Sequence, residues 1–149
     1  MTPLRDHDVL ILGLGASGLA MARWCARQGS RVRVADTRSE PPGLAALRVD
    51  LPAASFHAGP LVAELVQGTP VSAVFRSPGL APDAVAEVWQ AARTSGLLLG
   101  GELSLFSEAL IQLAQDRDYH PQVLGITGTN GKTTVTALTG QLVQRSGKT

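Results

Sequence analysis

Along this chain, short unbroken apolar runs alternate with stretches in which apolar residues recur at helical spacing. Residues 9–12 form the first run, and Leu19, Ala22 and Ala26 follow it on one helical face. Residues 31–35 alternate apolar and polar and close on Asp36. Further runs lie at 71–75, 97–99 and 121–126, each beside a helical pattern: 82–95, 101–117 and the stretch after Gly131. Short apolar runs with β-branched residues predict strands buried on both faces. Their alternation with helices predicts a parallel sheet.

Chain breakers fix the ends of these elements. Gly29 and Gly96 follow helical patterns, where glycine suits the left-handed C-terminal cap. Pro82 stands near a helix start, where no N–H is needed. Residues 37–43 are a Pro-rich loop, 54–57 a short third strand and 61–66 a short helix; 44–59 is otherwise the least regular stretch. On 101–117, Leu103, Phe106, Leu110, Leu113 and Ala114 share one helical face. The pair Gly100-Gly101 between two apolar segments marks a boundary. It divides the chain into a unit over 1–100 and the start of a second over 101–149.

The segment Gly128-Thr129-Asn130-Gly131-Lys132-Thr133-Thr134 joins the last apolar run to the last helical pattern. A strand, a glycine turn and a helix N-terminus together make an anion site, because unpaired N–H groups and the helix dipole point the same way. Lys132 is expected to reach the β- and γ-phosphates of ATP, and the Thr133 hydroxyl to ligate Mg²⁺; these two are the expected catalytic residues. Only two of the 13 basic residues are lysines, so a compact ammonium at 132 stands out in an arginine-rich chain. Ile126 occupies the first glycine position of the usual phosphate-loop pattern, which makes this loop a variant. The expected fold class is therefore α/β. It is a Rossmann-like parallel sheet flanked by helices, followed by the first βα unit (the phosphate loop) of a truncated P-loop ATPase domain.

A second ligand site is expected at the other end of the chain. Gly13-Leu14-Gly15-Ala16-Ser17-Gly18 follows the first strand and opens the first helix, and Asp36 ends the second strand. Strand, glycine turn, helix, strand and terminal acid form a nucleotide-binding fingerprint. Open α/β sheets bind ligands at the carboxyl ends of their strands. Those ends carry Gly15, Ala16 and Ser17; Asp36, Thr37 and Arg38; and Ser77, Pro78 and Gly79. On these residues alone, an NAD-dependent oxidoreductase and a non-catalytic nucleotide-sugar-binding module both stay open.

Composition narrows the classes. The chain has 149 residues, 44% hydrophobic and 17% charged, with a formal net charge of +1. That is globular, and the absence of a basic run gives no sign of nucleic acid. No apolar stretch reaches membrane-spanning length and no signal-peptide pattern opens the chain, so a cytoplasmic protein without a membrane partner is expected. The single Cys25 is expected in the core, and His7, His57 and His120 lack metal-ligand spacing.

Five motifs in order resemble the Mur ligase family, and within it the members that add D-glutamate to UDP-N-acetylmuramoyl-L-alanine. They are residues 13–18, Asp36-Thr37-Arg38, Ser77-Pro78-Gly79, Gly101-Glu102-Leu103-Ser104-Leu105-Phe106 and residues 128–134. The resemblance implies an ATP- and Mg²⁺-dependent amide ligation through an acyl phosphate. It also implies that the first site holds the UDP of the substrate. Amides at Ala16 and Ser17 would take the pyrophosphate, Asp36 a uracil N–H, Thr37 a uracil carbonyl, and Arg38 would stack on the ring. Ser104 departs from the acidic residue common in the family. The family continues far past the loop, with the D-glutamate site among those later residues. The chain is thus expected to be an N-terminal part, inactive alone, of an enzyme that is monomeric at full length.

Overall fold

The computed structural model describes residues 4–147. Five parallel strands form one sheet: β1 (Asp8–Leu12), β2 (Arg31–Asp36), β3 (Ser55–Ala58), β4 (Val71–Arg76) and β5 (Leu98–Gly101), in the order β3-β2-β1-β4-β5. Helices α1 (Ala16–Arg27), α2 (Leu44–Asp50), α3 (Ala86–Thr94), α4 (Glu102–Arg117) and α5 (Lys132–Arg145) alternate with or follow the strands. The order reverses between β1 and β4, which is where open parallel sheets leave a crevice at their carboxyl edge.

Each face of the sheet carries its own apolar layer. Val9, Ile11, Val34, Ala73 and Phe75 pack against Met21, Ala22 and Cys25 of α1 and Leu44 and Leu47 of α2. Leu10, Leu12, Val71 and Val74 pack against Val85 and, on α3, Val88 and Ala92. A bulge explains why Val71 and Ala73 face opposite ways: Asp8 pairs with Val71, but Val9 pairs with Ala73, which leaves Ser72 as the extra residue. Cys25 lies in the first layer as expected, and burial pushes its thiol up to about 12. It packs as a small apolar side chain and holds no reactive thiolate at neutral pH.

Several local expectations shift. The helix expected over 82–95 is a 3-10 turn, Asp83–Val85, followed by α3, and that over 61–66 is a 3-10 turn at Ala63–Leu65. Helix α2 arises inside the stretch that showed no clear period. Gly100 and Gly101 are the paired end of β5, opposite Phe75 and Arg76. On α4 only Leu105 is buried, while Leu103 is 81% exposed and Phe106 50%. α4 lies beside α1, with Ala109, Leu110 and Ala114 half-buried, and a single residue joins the core.

The largest correction concerns 121–126, which form no strand. A strand exists through its ladder, and among the described residues no neighbour offers one to this segment. Of the expected βα unit only the loop and α5 are present, and no described residue of α5 is buried. Val135, Leu138 and Leu142 repeat along its exposed surface.

Candidate functional site

The carboxyl edge of the sheet brings together the three predicted stretches of the first site. β1 ends at Leu12, and the chain turns at Gly13 with φ +86, a conformation suited to glycine. The Gly13 N–H donates to Ala35 O at 2.8 Å, and the Ser77 N–H donates to Leu12 O at 2.9 Å. A Cβ at Gly13 would lie 3.1 Å from the Ser77 Cβ, so the turn and the end of β4 are in close contact. Gly18 is the tightest point: a Cβ there would lie 1.8 Å from Gly13 O. Only glycine lets α1 start this close beneath the turn.

Helix α1 begins at Ala16, and its first internal bond runs from Leu19 N–H to Gly15 O at 3.0 Å. The N–H groups of the first turn, Ala16 to Gly18, therefore have no helical partner. They open on the crevice with the positive end of the helix dipole, an arrangement suited to an anion. Ala16 is exposed, and Gly15 and Ser17 are partly so. Thr37, Pro78 and Gly79 stand exposed on the rim, while Ser77 is buried beside Gly13.

Asp36 organises this edge. Its Oδ2 accepts the Leu14 N–H at 2.7 Å, and its Oδ1 accepts the Arg38 N–H at 3.0 Å. The Arg38 guanidinium adds two bonds of 2.8 Å, Nε to Oδ1 and Nη2 to Oδ2. The Asp36 side chain is 0% exposed and that of Arg38 53%. The Arg38 guanidinium, helped by the Leu14 and Arg38 N–H groups and opposed by burial, holds the Asp36 carboxyl down at about 2. Thus the expected ligand acid is already a structural clamp between the glycine turn and β2, and the expected stacking arginine is its counter-ion.

Sequence reasoning missed three members of this edge. Gly43 donates to Leu14 O at 3.0 Å, where a Cβ would also lie only 3.0 Å from that oxygen, and Gly59 donates to Asp36 O at 3.0 Å. The proline pair before Gly43 signalled a loop but not its contact. At the end of β4, the Arg76 guanidinium lies 5.6 Å from the Trp89 ring centroid. No sequence pattern announces that stack across two elements.

The second predicted site is one contiguous loop. Gly128 has φ +154 and Gly131 φ +74, and the Lys132 ammonium folds back to donate to Gly128 O at 2.6 Å. Val135 N–H closes the first turn of α5 on Gly131 O at 2.9 Å. Gly128, Thr129, Asn130, Gly131, Lys132, Thr133 and Thr134 are all exposed. Among the described residues no hydrogen bond ties this loop to the first site.

The family model described as "Mur ligase MurD-like, N-terminal domain" matches residues 7–99, which contain the whole of the first site. The chain belongs to the MurD-like Mur ligases. It is 65% identical over 148 residues to the UDP-N-acetylmuramoylalanine–D-glutamate ligase of Albidiferax ferrireducens, covering 99% of this chain and 29% of that protein. The enzyme of the same name from Ralstonia nicotianae is 55% identical over 148 residues, 98% of this chain and 29% of that one. The chain thus spans under a third of the length of these ligases. Among solved structures, a pseudomurein peptide ligase type C from Methanothermus fervidus shares the fold, with a TM-score of 0.54 at 22% identity over 95% of this chain and 27% of that one. Ser104 accepts the Gly101 N–H on its Oγ at 3.2 Å and so caps the start of α4.

Proposed function

We propose that this chain is the substrate-nucleotide-binding end of an ATP-dependent ligase that joins D-glutamate to UDP-N-acetylmuramoyl-L-alanine. One observation carries the reading: the MurD-like family match lies over the very residues that converge at the carboxyl edge of the sheet. The open amides of Ala16 and Ser17 suit the diphosphate, with Ser77, Pro78 and Gly79 opposite and Asp36, Thr37 and Arg38 at the uridine end. The loop over 128–134 is read as the ATP phosphate site. Residues 1–100 and 101–149 are read as parts of two domains.

In the whole enzyme, the terminal carboxylate of the substrate attacks the γ-phosphorus of ATP and releases ADP. The amine of D-glutamate then attacks the acyl phosphate, loses a proton and expels phosphate. Lys132 balances charge on the transferred group, and the N–H groups at the start of α5 hold the phosphate oxygens. Mg²⁺ would supply further charge neutralisation there, and the exposed Thr133 hydroxyl would be a ligand for it. Among the described residues no group of three or more His, Cys, Asp or Glu is placed to hold a metal. The described residues also include no helix long and apolar enough to cross a membrane. The loop stands exposed without a sheet beneath it, so the chain alone is proposed not to turn over ATP.

Calorimetric titration of the chain with UDP-N-acetylmuramoyl-L-alanine, NAD and MgATP in parallel tests this reading. Binding of the uridine nucleotide without NAD is the expected result. Binding of NAD without the uridine nucleotide would replace the ligase reading of the first site by a dinucleotide one.

A further inference from the structure

Arg76 and Glu102 carry opposite charges, border the same cavity and do not pair. The cavity, of about 350 Å³, lies at the ends of β4 and β5 and is lined by Arg76, Trp89, Glu102 and Leu103, with Gly100 and Gly101 offering backbone only. That volume falls within the range of about 300–1,000 Å³ usual for small-ligand sites. Arg76 is paired through its backbone with Gly101, so Glu102 stands one residue further along the neighbouring chain. Yet among the described residues neither side chain has a hydrogen bond or an ion pair. The guanidinium lies over Trp89 instead, 5.6 Å from the ring centroid. A stacked guanidinium offers its face to the ring and keeps its edge of N–H donors free.

We propose that this cavity is a binding site for a zwitterionic α-amino acid with an apolar side chain. The carboxylate takes the free edge of Arg76, where two parallel N–H bonds fit it. The ammonium takes Glu102, and the side chain covers Trp89 and the exposed Leu103. A simple anion meets Arg76 but is repelled by Glu102, and a simple cation meets the reverse. Only a ligand with both charges answers both groups. The stack on Trp89 orients the guanidinium in advance, so less side-chain freedom is lost on binding. The cavity adjoins the nucleotide crevice at Pro78, but the inference does not depend on what that crevice binds.

The test uses fluorescence of Trp89 in the Trp24→Phe chain, which keeps only this one of the two tryptophans. The probes are L-leucine, 4-methylpentanoate, which lacks the ammonium, and 3-methylbutylamine, which lacks the carboxylate. Leucine is expected to give a saturable change, and each single-charge analogue to bind about tenfold more weakly or worse. Glu102→Gln should weaken leucine by a similar factor and leave 4-methylpentanoate no weaker. Arg76→Gln should weaken both carboxylate probes. Circular dichroism establishes that each variant is folded, and Glu102→Gln alone suffices if Arg76→Gln does not fold. No saturable change with leucine overturns the proposal. So does equal binding of all three probes, which would mark an apolar hollow that reads no charge, or leucine affinity unmoved in a folded Glu102→Gln chain.

Discussion

The Leu14 N–H donates to the Asp36 carboxylate at 2.7 Å and ties the turn after β1 to the last residue of β2. Gly43 N–H on Leu14 O, at 3.0 Å, holds the same residue from the other side. Leu14 is thus fixed through both of its backbone polar groups, and with it the amides that follow at the start of α1. The crevice is shaped before any ligand arrives.

Asp36 should therefore control the acid limb of stability. Its folded value of about 2 lies below the ordinary 3.8. The folded state binds fewer protons, so the contribution is full above the ordinary value and is lost as pH falls towards 2. It amounts to roughly 2 kcal/mol. Denaturant unfolding of Asp36→Asn at stepped pH should show a lower plateau near neutrality and a flatter slope below pH ~4. Asp8, held low chiefly by its bond to Arg31, keeps part of that slope in the variant. An acid slope undiminished by the substitution would count against the clamp.

Gly18→Ala should be the most damaging glycine substitution at this edge. The new Cβ would lie 1.8 Å from Gly13 O, a backbone atom that cannot rotate aside. The expected loss is more than about 3 kcal/mol, read from thermal or urea unfolding. Gly140→Ala is the contrast: nothing lies within 4 Å of the new Cβ, in the middle of α5. It should raise helix content with a gain of about 1 kcal/mol in helix propensity.

Hydrogen exchange should divide the chain sharply. Amides of Val9 to Leu12, paired on both sides by β2 and β4, should be among the slowest. Amides of Val123 to Ile126 should exchange at nearly unprotected rates, since they belong to no ladder. Slow exchange at 123–126 in a monomer would mean that this segment pairs with a strand after all.

Lys132→Ala should raise the dissociation constant for MgATP by about tenfold or more, the loss of one strong charge-assisted contact. The Lys132 ammonium sits 2.6 Å from Gly128 O, already folded over the loop it would serve. Affinity for UDP should not move, because the first site shares no hydrogen bond with this loop among the described residues. A parallel loss of UDP affinity would indicate instead that the substitution disturbs the fold.

The central strands β1 and β4 were legible because they are buried on both faces and declare themselves as apolar runs. The run over 121–126 declared itself equally well and forms no strand. Periodicity reports what a segment does beside partners, and here the described residues supply none. Helix α2 was hidden because its buried residues, Leu44 and Leu47, are too few to set a period over seven residues. On α4 the residues of the expected apolar face stay exposed or half-buried, and the one buried residue, Leu105, lies outside that set. Asp36 could be found as an acid at a strand end. Its saturation could not, since it depends on an N–H from Leu14, across the turn, and on the direction taken by the Arg38 side chain.

Strand β5 passes into α4 without a connecting loop: Gly101 is still paired with Arg76 when Glu102 begins the helix. The heading of α4 is therefore inherited from the sheet's edge. A helix of this length is a rigid rod of about 24 Å. A tilt of about 5° at its root carries the far tip through about 2 Å, given that rod length. The lever also runs backwards, so a push at Arg117 arrives, geared down, at Arg76, one residue before Ser77.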